Sequence, residues 1–115
     1  MITWTGSLKV YLSTAPADLR KSFTGLYVLT KDVLKEDPQC GALFVFTNRL
    51  RTRIKTLYWD GTGLWVSTKR LEKGRFSWPK ASQAGGKLTL TPEALGLLLD
   101  GIDLKSGSLK AWYER

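Results

Sequence analysis

With 115 residues, 43% of them hydrophobic and 24% charged, the chain has the length of one domain and the composition of a soluble globular protein. No apolar run is long enough to span a bilayer, the start MITWTGSLKV lacks the order of a secretory signal, and the lone Cys40 excludes an internal disulfide, so a reducing cytoplasm is the expected compartment. The formal net charge of +8 is concentrated: residues 49–80 hold nine cations against Asp60 and Glu72, whereas the other 83 residues hold nine against eight acids. One basic segment in a balanced chain points to a localised anionic partner, nucleic acid first among them.

In chain order, LKVYLST (8–14) alternates as a strand, with Val10 and Leu12 opposite Lys9 and Tyr11. From Pro16 to about Glu36, Leu19, Phe23, Leu26, Tyr27, Val33 and Leu34 fall at helical spacing. Pro16 suits a first turn, and DPQCG stops the helix through Pro38 and Gly41. Arg20, Lys21, Lys31 and Lys35 then read as its solvated face. Four strands follow as an antiparallel meander: ALFVFT (42–47), RIKTLYW (53–59), LWVSTKR (64–70) and RFSW (75–78), joined by NRLRT, DGTG and EKG. GGKLTLT (85–91) supplies another short strand. TPEALGLLLDG is a second helix, with Thr91 as N-cap, Pro92 first, Glu93 at the positive end and Gly101 as the stop.

The expected fold class is α+β: an antiparallel sheet, a meander of hairpins, with one long helix packed on one face and a short C-terminal helix. A single domain is expected over residues 1–103, with 104–115 as a tail.

TNRLRTRIK (47–55) puts a cation at every second position: Arg49, Arg51, Arg53 and Lys55. An extended chain would aim all four to one side, about 6.6–6.8 Å apart, which matches successive phosphates of an extended nucleic-acid strand. A tight turn centred on Gly61 and Thr62 pairs Trp59 with Leu64, Leu57 with Val66, and Arg53 with Arg70. The face holding Leu57 and Trp59 then becomes basic toward Arg53, and the basic end is expected to project as a hairpin arm with 48–52 at its tip. Facing arginines repel unless an anion lies between them. Lys69, Arg70, Lys73 and Arg75 widen the field. The plainer alternative is that these cations only guard a sheet edge against aggregation.

Catalysis finds little support. The chain has no histidine, Cys40 stands alone, and the acids Asp18, Asp60, Glu72, Asp100 and Asp103 are scattered, with a turn role for Asp60 and a cap role for Asp100. No enzyme activity, cofactor or metal is expected. Seven of the thirteen aromatics lie within residues 44–78, where strands use them for packing. Trp65, opposite the inferred core face beside Lys69, is the candidate for stacking on a base.

ADLRKSFTGL (17–26), LFVFTNR (43–49), RIKTLYWDGTGLWVSTKRLEKGRFSWP (53–79) and LLLDGID (97–103) occur in an order that resembles the TnpB-type accessory proteins of IS-66 insertion sequences. The similarity covers residues 8–103, and the stretch from YWDG to RFSWP is its most specific part. The resemblance implies a small bacterial protein, encoded beside a separate DDE-type transposase, that assists transposition. It does not extend to the RNA-guided nucleases that share the label. The chain departs from the family in carrying Thr24 and Thr52 at or beside positions where acids are common, which weakens any metal-binding role for those acids. The expected function is non-catalytic DNA binding in support of transposition, through backbone phosphates, with the transposase of the same element as a second partner. The alternative is a protein–protein adaptor that recruits or regulates the transposase without touching DNA.

Overall fold

LFVFT has no polar residue before Thr47, and it becomes the strand that the rest of the molecule covers. A computed structural model describes residues 8–20, 22–79 and 86–101. Its elements are β1 (Val10–Ser13), α1 (Phe23–Asp32), β2 (Leu43–Thr47), β3 (Arg53–Trp59), β4 (Leu64–Arg70), β5 (Lys87–Leu90) and α2 (Pro92–Leu99). The strands form one sheet in the order β4-β3-β2-β1-β5. All five residues of β2 are buried, because this strand is covered on both faces and paired along both edges. β1 runs parallel to β2, which requires a crossover, and α1 is that crossover. The other pairings are antiparallel.

Strand alternation divides the apolar side chains between two cores. On one face, Leu26 of α1 packs with Leu19, Phe44, Phe46 and Leu57. On the other, Leu95 and Leu98 of α2 pack with Val10, Leu43, Val45 and Ile54, joined by Phe76 and Trp78. Each such side chain, fully buried, contributes about 1.5–3 kcal/mol. The Trp78 indole, 2% exposed, donates from Nε1 to the Ser13 carbonyl at 2.9 Å, so its burial leaves no unmet donor. At the far edge, Lys87 of β5 ties down the end of α1 by donating to the Leu34 carbonyl (2.9 Å), pairing with Glu36 and lying over the Tyr11 ring.

Several expectations hold. The β3–β4 register is the anticipated one, with Leu57 opposite Val66 and Arg53 opposite Arg70. In α2, the Thr91 hydroxyl accepts the Ala94 N–H at 3.0 Å, Pro92 is the first residue, and Gly101 takes a left-handed φ of 78° after the end.

Beyond the parallel β1–β2 pairing in a sheet expected to be antiparallel, three expectations are corrected. The first helix begins at Phe23 rather than Pro16 and ends at Asp32. The preceding residues instead run along the sheet end, where the Thr14 N–H reaches the Gly86 carbonyl and the Ala17 N–H the Thr47 carbonyl. Arg20 therefore lies off the helix, and Lys35, at φ 58°, lies beyond its end. Secondly, RFSW is no strand, and the meander has three members, not four. Phe76 and Trp78 are drawn into the α2-side core, so this segment covers a face instead of extending an edge. Thirdly, residues 48–52 do not project as an arm. The Phe76 N–H donates to the Arg51 carbonyl at 2.7 Å and the Leu71 N–H to the Thr52 carbonyl at 3.0 Å, which fastens the turn to the body. Lys21, Lys80, Asp103 and the tail at 104–115 lie outside the described residues.

Candidate nucleic-acid interface

The turn between β2 and β3 is organised by one side chain. Asn48 Oδ1 accepts the backbone N–H of Thr52 (2.9 Å) and of Arg53 (3.1 Å), and its Nδ2 donates to the Thr52 hydroxyl at 3.1 Å. Arg51 adopts a left-handed φ of 59°, with its N–H on the Asn48 carbonyl. The expected row of four alternating cations is therefore broken. Arg53 and Lys55 lie on β3 and share its α1-side face, whereas Arg49 and Arg51 belong to the turn. Their backbone is not extended, so a spacing of two residues no longer means one side.

Tertiary contacts gather cations in another way. Arg53 opens β3 and Arg70 closes β4, directly opposite one another and both exposed. Arg51 is bonded to Phe76, which brings Arg75 to the same end of the sheet, and the exposed Lys73 lies in the connection between Leu71 and Phe76. Like charges held face to face are destabilising unless an anion is shared. Lys55 is half-buried between Phe46 and Thr68 in the register. Lys69 faces the opposite side of the sheet, where its ammonium donates to the Leu99 carbonyl at 2.6 Å. It thus complements the negative end of α2.

Trp65 is 46% exposed, but it sits at the other end of β4, about 17 Å from Arg70 along the strand. Its Nε1 donates to Asp60 Oδ2 at 2.8 Å. The same carboxylate accepts the Thr62 and Gly63 N–H groups and the Thr62 hydroxyl through Oδ1. The Thr62 N–H leads these donors in holding the Asp60 carboxyl below the usual carboxylate range. The structure separates Trp65 from the cation cluster and sets a carboxylate beside it.

Two residues that matter here are not marked by a charge pattern. Arg20, assigned by periodicity to a helix face, instead stands on the 17–20 segment against the turn. It donates from Nε and Nη2 to the two oxygens of Asp18 at 3.0 and 2.9 Å, and Asp18 holds the guanidinium further into its charged form. Asn48 is the second; its signal is the side-chain turn chemistry of asparagine directly after a strand. The acids weighed for catalysis stay apart: Asp18 is paired with Arg20, Asp60 serves its turn, and Asp100 caps α2. Among the described residues no three metal-ligating side chains converge, and no helix is long and apolar enough to cross a membrane.

Comparison with known proteins agrees with the motif order. A family described as "IS66 Orf2 like protein" matches residues 8–108. The "Uncharacterized protein y4jC" of Sinorhizobium fredii is 39% identical over 103 residues, 90% of this chain and 86% of that protein. A second Sinorhizobium fredii relative, "Uncharacterized protein y4hO", is 40% identical over 97 residues, 84% and 83% of the two chains. No solved structure matches. The chain belongs to the IS66 Orf2-like family, proteins accessory to insertion-sequence transposition.

Proposed function

We propose that this protein assists IS66-type transposition without catalysing it, by holding the phosphate backbone of DNA on the basic end of its sheet. The observation that carries this reading is the direct opposition of Arg53 and Arg70, with Arg49, Arg51 and Arg75 folded onto the same end. A folded protein tolerates such crowding when an anion of its partner shares the charge. Phosphate contacts of this kind position a protein without reading bases, so binding should be largely indifferent to sequence.

The test is a variant carrying Gln at Arg49, Arg51, Arg53 and Arg70, compared with wild type for DNA affinity over a salt series. Binding should weaken on every sequence, and the log–log salt slope should flatten by roughly three to four, one counterion per cation. A folded variant with unchanged affinity and slope would sink the reading.

One observation favours a second reading, that of an adaptor for the transposase. Phe23 and Val28 of α1, with Val33 just after it, are 49%, 47% and 48% exposed, which leaves large apolar side chains on the helix surface. Co-purification with transposase from nuclease-treated extract, lost on replacing Phe23 and Val28 with Ser, would favour it.

A further inference from the structure

The segment ADLR and the turn NRLRTR are separated by 27 residues of chain, yet they line one cleft of about 290 Å³. Arg20, Arg49 and Arg53 bring three guanidinium groups to it, Asp18 brings one carboxylate, and Leu19 and Leu50 add apolar surface. We infer that this cleft takes one nucleotide unit, with its phosphate held by Arg49 and Arg53 and its sugar and base laid against Leu50 and the Arg20 guanidinium. The inference rests on the nucleic-acid reading above and narrows it to a place and a chemical group.

Four features carry the assignment. Asp18 uses two of the five N–H donors of the exposed Arg20 and leaves donors for a ligand. The remaining arginines are not matched by a second cleft carboxylate, so the site keeps a positive excess suited to a phosphate. Leu50 is 60% exposed at the tip of the turn, the most exposed large apolar side chain among the described residues. A phosphate alone, or an acidic side chain, would leave it in water, whereas a sugar and base would cover it; arginine planes also serve as platforms for bases. Finally, the volume lies at the lower end of ligand sites, room for one small unit rather than a large molecule. The Asn48 bonds that shape the turn fix the backbone from which Arg49 and Leu50 project.

The source of the nucleotide is either a residue in a DNA strand or a free mononucleotide, and two probes separate them. Anisotropy of a labelled twenty-residue oligothymidylate measures the first, and shifts of backbone amide NMR signals on adding millimolar dTMP measure the second. Folding of each variant is checked by thermal denaturation. Arg49→Gln with Arg53→Gln should lower oligonucleotide affinity tenfold or more and flatten the salt slope by about two. Leu50→Ala should lower affinity several-fold at an unchanged slope, because no counterion is involved. Lys73→Gln with Arg75→Gln, outside the cleft, should flatten the slope but leave dTMP shifts at 17–20 and 48–53 intact.

If wild type binds the oligonucleotide but Leu50→Ala is indistinguishable from it and dTMP moves no cleft signal, the cleft is not a nucleotide site and only the general reading survives. If dTMP binds the cleft but the oligonucleotide does not bind, the cleft stands for a free nucleotide and the DNA reading falls. If neither binds, both fall. Displacement by a tetraglutamate peptide but not by dTMP would overturn the inference in favour of an acidic protein partner.

Discussion

The turns at the two ends of β3 have the same construction and opposite charge. At Asn48, a side-chain oxygen accepts the N–H groups of residues 52 and 53; at Asp60, one accepts those of residues 62 and 63. Both let the chain reverse without spending its strand hydrogen bonds. The difference is that the amide is neutral and the carboxylate is not. A carboxylate at position 48 would stand among Arg49, Arg51 and Arg53 and offset their field, whereas at position 60 it sits where cations are absent from the neighbouring sequence. Turn geometry is thus a shared structural need, and the choice between amide and carboxylate sets which end of the sheet keeps its positive charge.

The largest change should come from Asn48→Ala. It removes an acceptor for two backbone N–H groups and a donor to the Thr52 hydroxyl, and should cost about 1–3 kcal/mol of stability in urea denaturation. A loss no greater than that of an ordinary surface change would mean that Asn48 does not organise the turn.

Asn48→Asp keeps an acceptor in the turn and adds a charge. Stability should change little, while DNA affinity should fall about tenfold, a difference of about 1.4 kcal/mol. Unchanged affinity would remove the electrostatic explanation for an amide at this place.

At the other end, Asp60→Asn should leave DNA affinity within about twofold of wild type, because the Asp60 end of β3 lies about 20 Å from Arg53. Its effect should appear in stability against pH. The folded-state pKa is lowered, so the contribution of Asp60 is fully present above the ordinary carboxylate value of about 3.9 and is lost as pH falls toward the folded value. Wild type should therefore lose stability on acidification below about pH 4 more steeply than Asp60→Asn does. Parallel curves would show that the carboxylate adds nothing that an amide does not.

The smallest effect belongs to Trp65→Phe, which removes one of the bonds to Asp60 and keeps a ring on β4. Its melting temperature should fall by less than that of Asp60→Asn. A larger fall would make the indole, rather than the backbone amides, the main support of the carboxylate.

Much of the hairpin was legible in advance for a local reason. DGTG is a short turn with its own acceptor, and a short turn fixes register, so the facing of Arg53 and Arg70 followed from counting outward. The α2 boundaries were equally local, since Thr91, Pro92 and Gly101 act within a turn of their own positions. Periodicity makes the first helix too long because Leu19 does have helical spacing to Phe23 and Leu26. Leu19 meets the same core from a non-helical segment, held by the Ala17 bond to Thr47, and periodicity cannot distinguish the two. RFSW misleads in the same way: its alternating aromatics fit a strand, but a core lacking a cover on the α2 side takes them instead.

What the sequence determined by itself was the inventory and the local joints: a charge excess in residues 49–80, the family motifs in their order, the β3–β4 register and the caps of α2. These depend on residues a few positions apart. Only the tertiary structure decided that Arg20 stands beside Arg49 and Arg53, that Lys69 serves α2, that Trp65 lies far from the basic end, and that the turn at 48–52 is fastened rather than projecting. Each of those outcomes depends on which distant segment covers which face of the sheet. Burial of apolar area chooses that arrangement without regard to direction in the chain, so charge spacing along one strand does not foretell which charges meet in space.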